Sequence, residues 1–196
     1  MDNAIRTAEH LARLAGRREA LTASLAAIPP GGWVWEIGCG HGHFLTAFAQ
    51  AHPETVCVGV DVTGDRVERA ARKRDRARLS NLHFLQADAR MFLELLPAAA
   101  TLAAVYVLFP DPWPKKRHHK HRLMQPDFLG RIAARAGEGA RLYFRTDHAP
   151  YFAAVQAMMA AHPAWRVVDE VFPFESRTVF QERAGEYRSL AAALRL

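Results

Sequence analysis

Two cysteines, Cys39 and Cys57, are all that this chain of 196 residues contains, and their separation matches no metal-ligand spacing. That excludes a disulfide framework and sets the expectation of a reducing, cytoplasmic setting and of no bound metal. Long hydrophobic runs are missing as well. Arg, His, Pro or Gly interrupts every apolar segment before it could cross a membrane, so no membrane association is expected. The N-terminal stretch MDNAIRTAEHLARLAGRREA lacks the basic, apolar and small-residue order of a secretory signal. Internal repeats and low-complexity tracts are absent too. What remains is ordinary globular composition, 50% apolar and 23% charged, and long enough for one full core.

Acid is missing from one further place. Lys115, Lys116, Arg117, Lys120 and Arg122 fall within eight residues that include no Asp or Glu. The whole chain carries a formal charge of +6 with a pI near 9.8. Such an excess favours polyanionic partners, because each neutralised phosphate releases counterions. A second basic group (Arg66, Arg69, Arg72, Lys73, Arg74, Arg76, Arg78) is diluted by Asp65, Glu68 and Asp75, and reads as a solvated helix face.

The hydrophobic pattern alternates between strand and helix. Ile5 to Ala26 reads as helix and stops at Pro29-Pro30-Gly31-Gly32, which sets off an N-terminal helical segment (1–30) from the remainder (31–196). Strands are expected at Trp33–Gly38, Thr55–Asp61, His83–Gln86, Thr101–Phe109, Ala140–Thr146, Trp165–Val171 and Thr178–Glu182, with Gly137-Glu138-Gly139 as a turn. Helices are expected at His43–His52, Arg66–Leu79, Arg90–Leu96, Pro126–Ala136 and Tyr151–Ala161. This order predicts an α/β fold with a mostly parallel central sheet and helices on both faces. Such sheets bind ligands beyond the carboxyl ends of their strands, and the chemistry-bearing residues fall at those ends.

The first strand runs into Glu36-Ile37-Gly38-Cys39-Gly40-His41-Gly42, a turn whose glycines let the backbone approach a ligand. It is neither GxGxxG, since His43 stands three residues after Gly40, nor a phosphate loop, which would end in Gly-Lys-Ser/Thr. His41 and His43 lack a matching ligand cluster. The ExGxGxG form resembles motif I of the Rossmann-like, class I methyltransferases that use S-adenosyl-L-methionine. Asp61 ends the second strand, where a carboxylate can accept both ribose hydroxyls of an adenosine. The same resemblance places Asp88 at the adenine amino group, and Glu36, with Gly38 and Gly40 below it, toward the methionine end.

After the fourth strand comes Phe109-Pro110-Asp111-Pro112-Trp113-Pro114, where three prolines fix φ and restrict their neighbours. A rigid loop of this kind can hold a carboxylate and a stacking face beside a cofactor, with the basic run next to it gripping phosphates. The full segment FPDPWPKKRHHKHR resembles the signature of the bacterial-type tRNA (guanine-N7-)-methyltransferases, which modify guanine 46 in the variable loop. Thr146-Asp147 with Tyr151 resembles that family's TD-x3-Y, and Thr178-Val179-Phe180-Gln181 its TxFE. The resemblance implies that Glu36, Asp61, Asp88 and Asp111 contact the cofactor, with Asp111 also catalytic. It implies that Lys115, Asp147, Thr178, Val179, Phe180 and Gln181 contact the substrate. Lys116, Arg117, Lys120 and Arg122 are expected on the RNA backbone, with Arg145 a further candidate. The implied partner is tRNA, not DNA, and no protein partner is indicated.

Three residues depart from the pattern. Asp61 stands where the family more often has Glu, His121 where it usually has Arg, and Gln181 where it has Glu. The stretch before Trp33 is short where relatives can carry an RNA-contacting extension. Two other readings compete. Methylation of an exocyclic amine is suggested by DPW, but the second consecutive proline of that motif is missing. A non-catalytic RNA-binding subunit would not need Glu36, the glycine turn, Asp61 and Asp88.

Overall fold

A computed structural model describes residues 2–176 and 185–195, with side chains from residue 7 onward. The elements in chain order are α1 (Asp2–Ala26), β1 (Gly31–Ile37), α2 (His43–Ala51), β2 (Val56–Asp61), α3 (Gly64–Ala77), β3 (Leu82–Gln86) and α4 (Ala89–Leu95). Then follow β4 (Ala100–Leu108), a 3-10 helix (Lys116–His121), α5 (Pro126–Ala133), β5 (Ala136–Thr146), α6 (Ala149–Ala161), β6 (Trp165–Val168) and β7 (Arg188–Leu194). The seven strands form one sheet in the order β3-β2-β1-β4-β5-β7-β6. β1 to β5 are parallel, and β7 runs antiparallel to β5 and β6.

The period of two along each strand divides the core. Trp33, Trp35, Val58, Val60, Val105, Val107, Leu142 and Phe144 face one side, packing with residues of α1, α4, α5 and α6. Val34, Cys57, Tyr106 and Tyr143 face the other, packing with α2, α3 and Phe172. Both faces are thus covered, as a parallel sheet requires. Among the described residues of α1, Leu21 and Leu25 in its C-terminal half join the core, and Arg18 pairs with Glu94 of α4 at 2.9 and 3.0 Å. No described helix is long and apolar enough to cross a membrane.

Two expectations about strands need correction. Gly137-Glu138-Gly139 does not separate α5 from β5 but lies within β5 as an irregularity. The pairing with β4 jumps there from Leu102↔Ala136 to Ala104↔Arg141, and Gly139 takes φ 72°. β7 was not anticipated, because its sequence RSLAAAL is rich in Ala and lacks β-branched residues. Thr178–Glu182, expected as a strand, lies outside the described residues.

Gly59 of β2 packs under the Phe84 ring, and a Cβ there would stand 2.6 Å from Phe84 Cδ1 and 3.0 Å from Cys39 Cβ. Gly59→Ala is therefore expected to destabilise the fold by about 1–3 kcal/mol in urea unfolding. Adding Phe84→Leu should recover part of that loss, and no recovery would place the strain elsewhere.

Candidate active site

Parallel pairing brings the carboxyl ends of β1 to β5 to one edge, and the sheet order lines up their acids. Asp88 follows β3, Asp61 ends β2, Glu36 sits near the end of β1, Asp111 follows β4 and Asp147 follows β5. The sequence-predicted acids are thus brought to one edge, from the outer strand β3 across the sheet to β5.

Beyond β1 the chain turns through Gly38, Gly40 and Gly42, with φ of 71°, 53° and 67°. Gly42 has a second reason to be glycine, since a Cβ there would meet Phe84 Cζ at 2.5 Å and Ala70 Cβ at 2.8 Å. The Gly38 and Cys39 N–H groups donate to the Val60 carbonyl at 2.8 and 3.1 Å, which fastens the turn to β2. Asp61 completes the attachment. Its buried carboxylate accepts from Gly40 N–H at 3.0 Å through Oδ2 and from Thr63 N–H at 2.9 Å through Oδ1. A carboxylate has about four acceptor sites, so this structural duty leaves capacity for ribose hydroxyls.

Glu36 is 4% exposed, and its Oε2 is buried without a hydrogen-bond partner. Burial raises its carboxyl to about 8; the Asp61 charge adds to the rise, while the Leu45 backbone and the Lys73 ammonium oppose it. A buried carboxylate with one oxygen left unbonded is costly unless a donor or cation arrives. S-adenosyl-L-methionine carries both, an ammonium and a sulfonium, so the residues fit that cofactor. Asp88 is exposed and caps α4, Oδ1 accepting from Arg90 N–H at 2.8 Å and Met91 N–H at 3.3 Å.

The loop after β4 is backbone-strained. Phe109 and Trp113 take φ of 52° and 43°, in the left-handed region, and each directly precedes a proline. Phe109 is held by its N–H to the Arg145 carbonyl at 2.8 Å and by its ring against Tyr187. The loop projects Asp111 into solvent. Trp113 is 37% exposed between His118 and His121, at ring distances of 5.8 and 5.3 Å. Lys115, Lys116, Arg117 and Lys120 are exposed on and beside the 3-10 helix, and among the described residues no acid pairs with them.

Two of the cations named as RNA candidates, Arg122 and Arg145, are buried and bonded within the fold. Arg122 is 6% exposed; its Nε donates to the Pro112 carbonyl at 2.8 Å and its guanidinium lies 4.6 Å from the Tyr151 ring centre. It therefore holds the Asp111 loop from behind. Arg145 is 4% exposed, bonded to Glu175 at 2.6 and 3.0 Å and to Ser189 Oγ at 2.9 Å, with Phe172 and Tyr187 against its face. Asp147 is exposed at the end of β5. Its turn is fixed by His148 N–H donating to Thr146 Oγ1 at 3.2 Å and Tyr151 N–H donating to His148 Nδ1 at 3.1 Å. Tyr151 also accepts Met124 N–H at 3.1 Å, so one ring ties the Asp147 turn to the Arg122 support. Sequence reading missed this tie; the signal available was the apolar Leu123-Met124 that follows Arg122. Thr178, Val179, Phe180 and Gln181 lie outside the described residues.

A glycine turn after β1, acids at the neighbouring strand ends and this strand order make up the Rossmann-like fold of the class I methyltransferases. The solved structure of TrmN from Thermus thermophilus shares the fold at a TM-score of 0.60 and 22% identity, over 90% of this chain and 48% of that one. The family model described as "Putative methyltransferase" matches residues 32–188. Two similar curated proteins, both named tRNA (guanine-N(7)-)-methyltransferase, come from Nocardia farcinica and Syntrophotalea carbinolica. The first is 42% identical over 130 residues, 66% of this chain and 48% of that protein. The second is 40% identical over 124 residues, 63% of this chain and 53% of that protein. The chain belongs to the tRNA (guanine-N7-)-methyltransferase family. It spans about half the length of these curated relatives.

The raised Glu36 carboxyl makes a signed prediction. Folding must keep this group protonated, or bury its charge, at any pH above the ordinary carboxyl range near 4.5, and the cost is complete above about 8. In cofactor-free protein, Glu36→Gln should add on the order of 1–3 kcal/mol of stability above pH 8 and nothing at pH 4. In the wild type, S-adenosyl-L-methionine should bind more tightly as pH rises toward 8, with proton release seen by calorimetry in two buffers. Glu36→Gln should lose that pH dependence, and equal proton release in the variant would remove Glu36 from the site.

Proposed function

We propose that this protein transfers the methyl group of S-adenosyl-L-methionine to N7 of a guanine in tRNA, at position 46 of the variable loop, in the cytoplasm. The observation that carries the reading is the loop after β4. It sets an exposed carboxylate on a strained, proline-fixed backbone at the carboxyl edge of the sheet and continues directly into four exposed cations that no acid pairs with among the described residues. The names of the family's members supply the substrate.

Guanine N7 already bears a lone pair, so the reaction needs no strong base. When bound, the cofactor supplies an electrophilic methyl on its sulfonium. The chain's part is placement, and effective molarity is its main contribution. Asp61 would hold the ribose, Asp88 the adenine amino group, and Glu36 the methionine end over Gly38 and Gly40. Asp111, fixed through Pro112 and Arg122, would face the purine and stabilise the positive charge that develops on it. Lys115 and Asp147 would hold the guanine nucleotide, Asp147 accepting from its N1–H and amino edge, together with Thr178, Val179, Phe180 and Gln181. As an amide, Gln181 would both donate and accept there. Lys116, Arg117 and Lys120 would grip phosphates.

Asp111→Asn should leave tRNA affinity within about threefold while single-turnover methyl transfer falls on the order of 100-fold or more. Near wild-type transfer would refute the role. Neutralising Lys116 and Lys120 together should reduce the slope of log K against log salt for tRNA by roughly 1.4–1.8; an unchanged slope would move the RNA track to another surface.

A further inference from the structure

Arg145, near the end of β5, meets parts of the chain that are far apart in sequence. Its fork is bidentate on Glu175, at 2.6 and 3.0 Å, and its Nε donates to Ser189 Oγ at 2.9 Å. Its guanidinium lies 4.1 Å from the Phe172 ring centre and 4.8 Å from that of Tyr187. Its carbonyl accepts Phe109 N–H at 2.8 Å, and the Phe109 ring sits edge-on to Tyr187 at 5.8 Å. One buried residue therefore joins the segment after β6, the entry to β7 and the root of the Asp111 loop.

A buried ion pair adds little to stability over well-packed apolar residues. What a planar fork with several partners does add is direction, because it fixes where those partners stand. Glu175 and Tyr187 flank residues 177–184, which include Thr178 to Gln181 and lie outside the described residues. Phe109 takes φ 52° directly before Pro110-Asp111, and such a backbone persists only where its surroundings hold it. The Arg145 carbonyl and the Tyr187 ring hold it here. The segment after β6 is anchored in turn, Phe172 on Tyr143 and Phe174 on Phe44 and Phe48 of α2, so the junction has a fixed side. We propose that Arg145 is a positioning residue for methyl transfer, fixing the Asp111 loop and the chain on both sides of residues 177–184 relative to each other. In this role it acts through Phe109 and Glu175 and touches neither cofactor nor RNA. The reaction it serves rests on the N7 transfer proposed above; the junction itself does not.

Arg145→Lys keeps the charge and loses the fork. Hydrogen exchange, which needs no activity, should show lost protection at the Phe109 amide and in residues 187–189. The glycine turn and affinity for S-adenosyl-L-methionine should be unchanged. At saturating tRNA, single-turnover transfer should fall on the order of 10–100-fold, with tRNA affinity within about threefold and an unchanged salt slope. In an Asp111→Asn background the same substitution should cost less than about threefold, since the group it places is gone. Equal losses in both backgrounds would leave Arg145 a merely structural residue, and a salt slope smaller by about one would make it a phosphate contact. Either result overturns the proposal. Should Arg145→Lys fail to fold, Glu175→Gln, which keeps one acceptor for the fork, should show the same pattern at reduced size. Unchanged exchange and transfer in that variant overturn the proposal as well. A wild type that makes no N7-methylguanine sinks the proposed activity, and the exchange measurement then decides the junction by itself.

Discussion

Strand β1 is hydrogen-bonded in parallel to β2 on one side and to β4 on the other. The other features of the molecule follow from that central pairing. It puts the ends of β1, β2 and β4 at one edge, and leaves the glycine turn nowhere to run except across the top of β2. There the Val60 carbonyl and the Asp61 carboxylate receive four backbone N–H groups, three from the turn and the neighbouring Thr63 (Gly38, Cys39, Gly40 and Thr63). The same alternation that sends Trp33 and Trp35 to one face and Val34 to the other seals both sides of the sheet. With the faces sealed, a ligand finds access at the edge, where the acids stand.

Charges in this molecule divide by burial. Asp61, Arg122 and Arg145 are buried and hold backbone or neighbouring side chains, so they set where other groups stand. Lys115, Lys116, Arg117 and Lys120 are exposed and lack acidic partners among the described residues, so their field is directed outward. Glu36 belongs to neither set. It is buried yet under-bonded, which is the state expected of a group whose partner is a ligand. The strained Phe109 and Trp113 backbones fit the same division, because the tie from Arg122 to Pro112 restrains the segment between them.

Much of this was legible in the sequence, for physical reasons. Runs such as VCVGVD and the VYV of β4 are buried on both faces and therefore continuous in hydrophobicity, and each leads into the residues that begin the site. The glycine turn, the acids and the proline loop were readable because each needs a residue type that little else can replace. What could not be read was whether a charge is inside or outside. Arg122 and Arg145 look like their neighbours in sequence, and it is Tyr151, Phe172 and Glu175, all distant along the chain, that draw them in. β7 escaped notice because RSLAAAL gains its strand from pairing with β5 and β6, not from its own propensity.

The central claim is that this edge delivers a methyl group to one atom of one guanine. Incubating the protein with unmodified tRNA and methyl-labelled S-adenosyl-L-methionine, then mapping the labelled nucleoside by mass spectrometry, tests it most directly. The predicted result is N7-methylguanosine at position 46 of the variable loop. Label on an exocyclic amine, at another guanine, or nowhere in the RNA would contradict it.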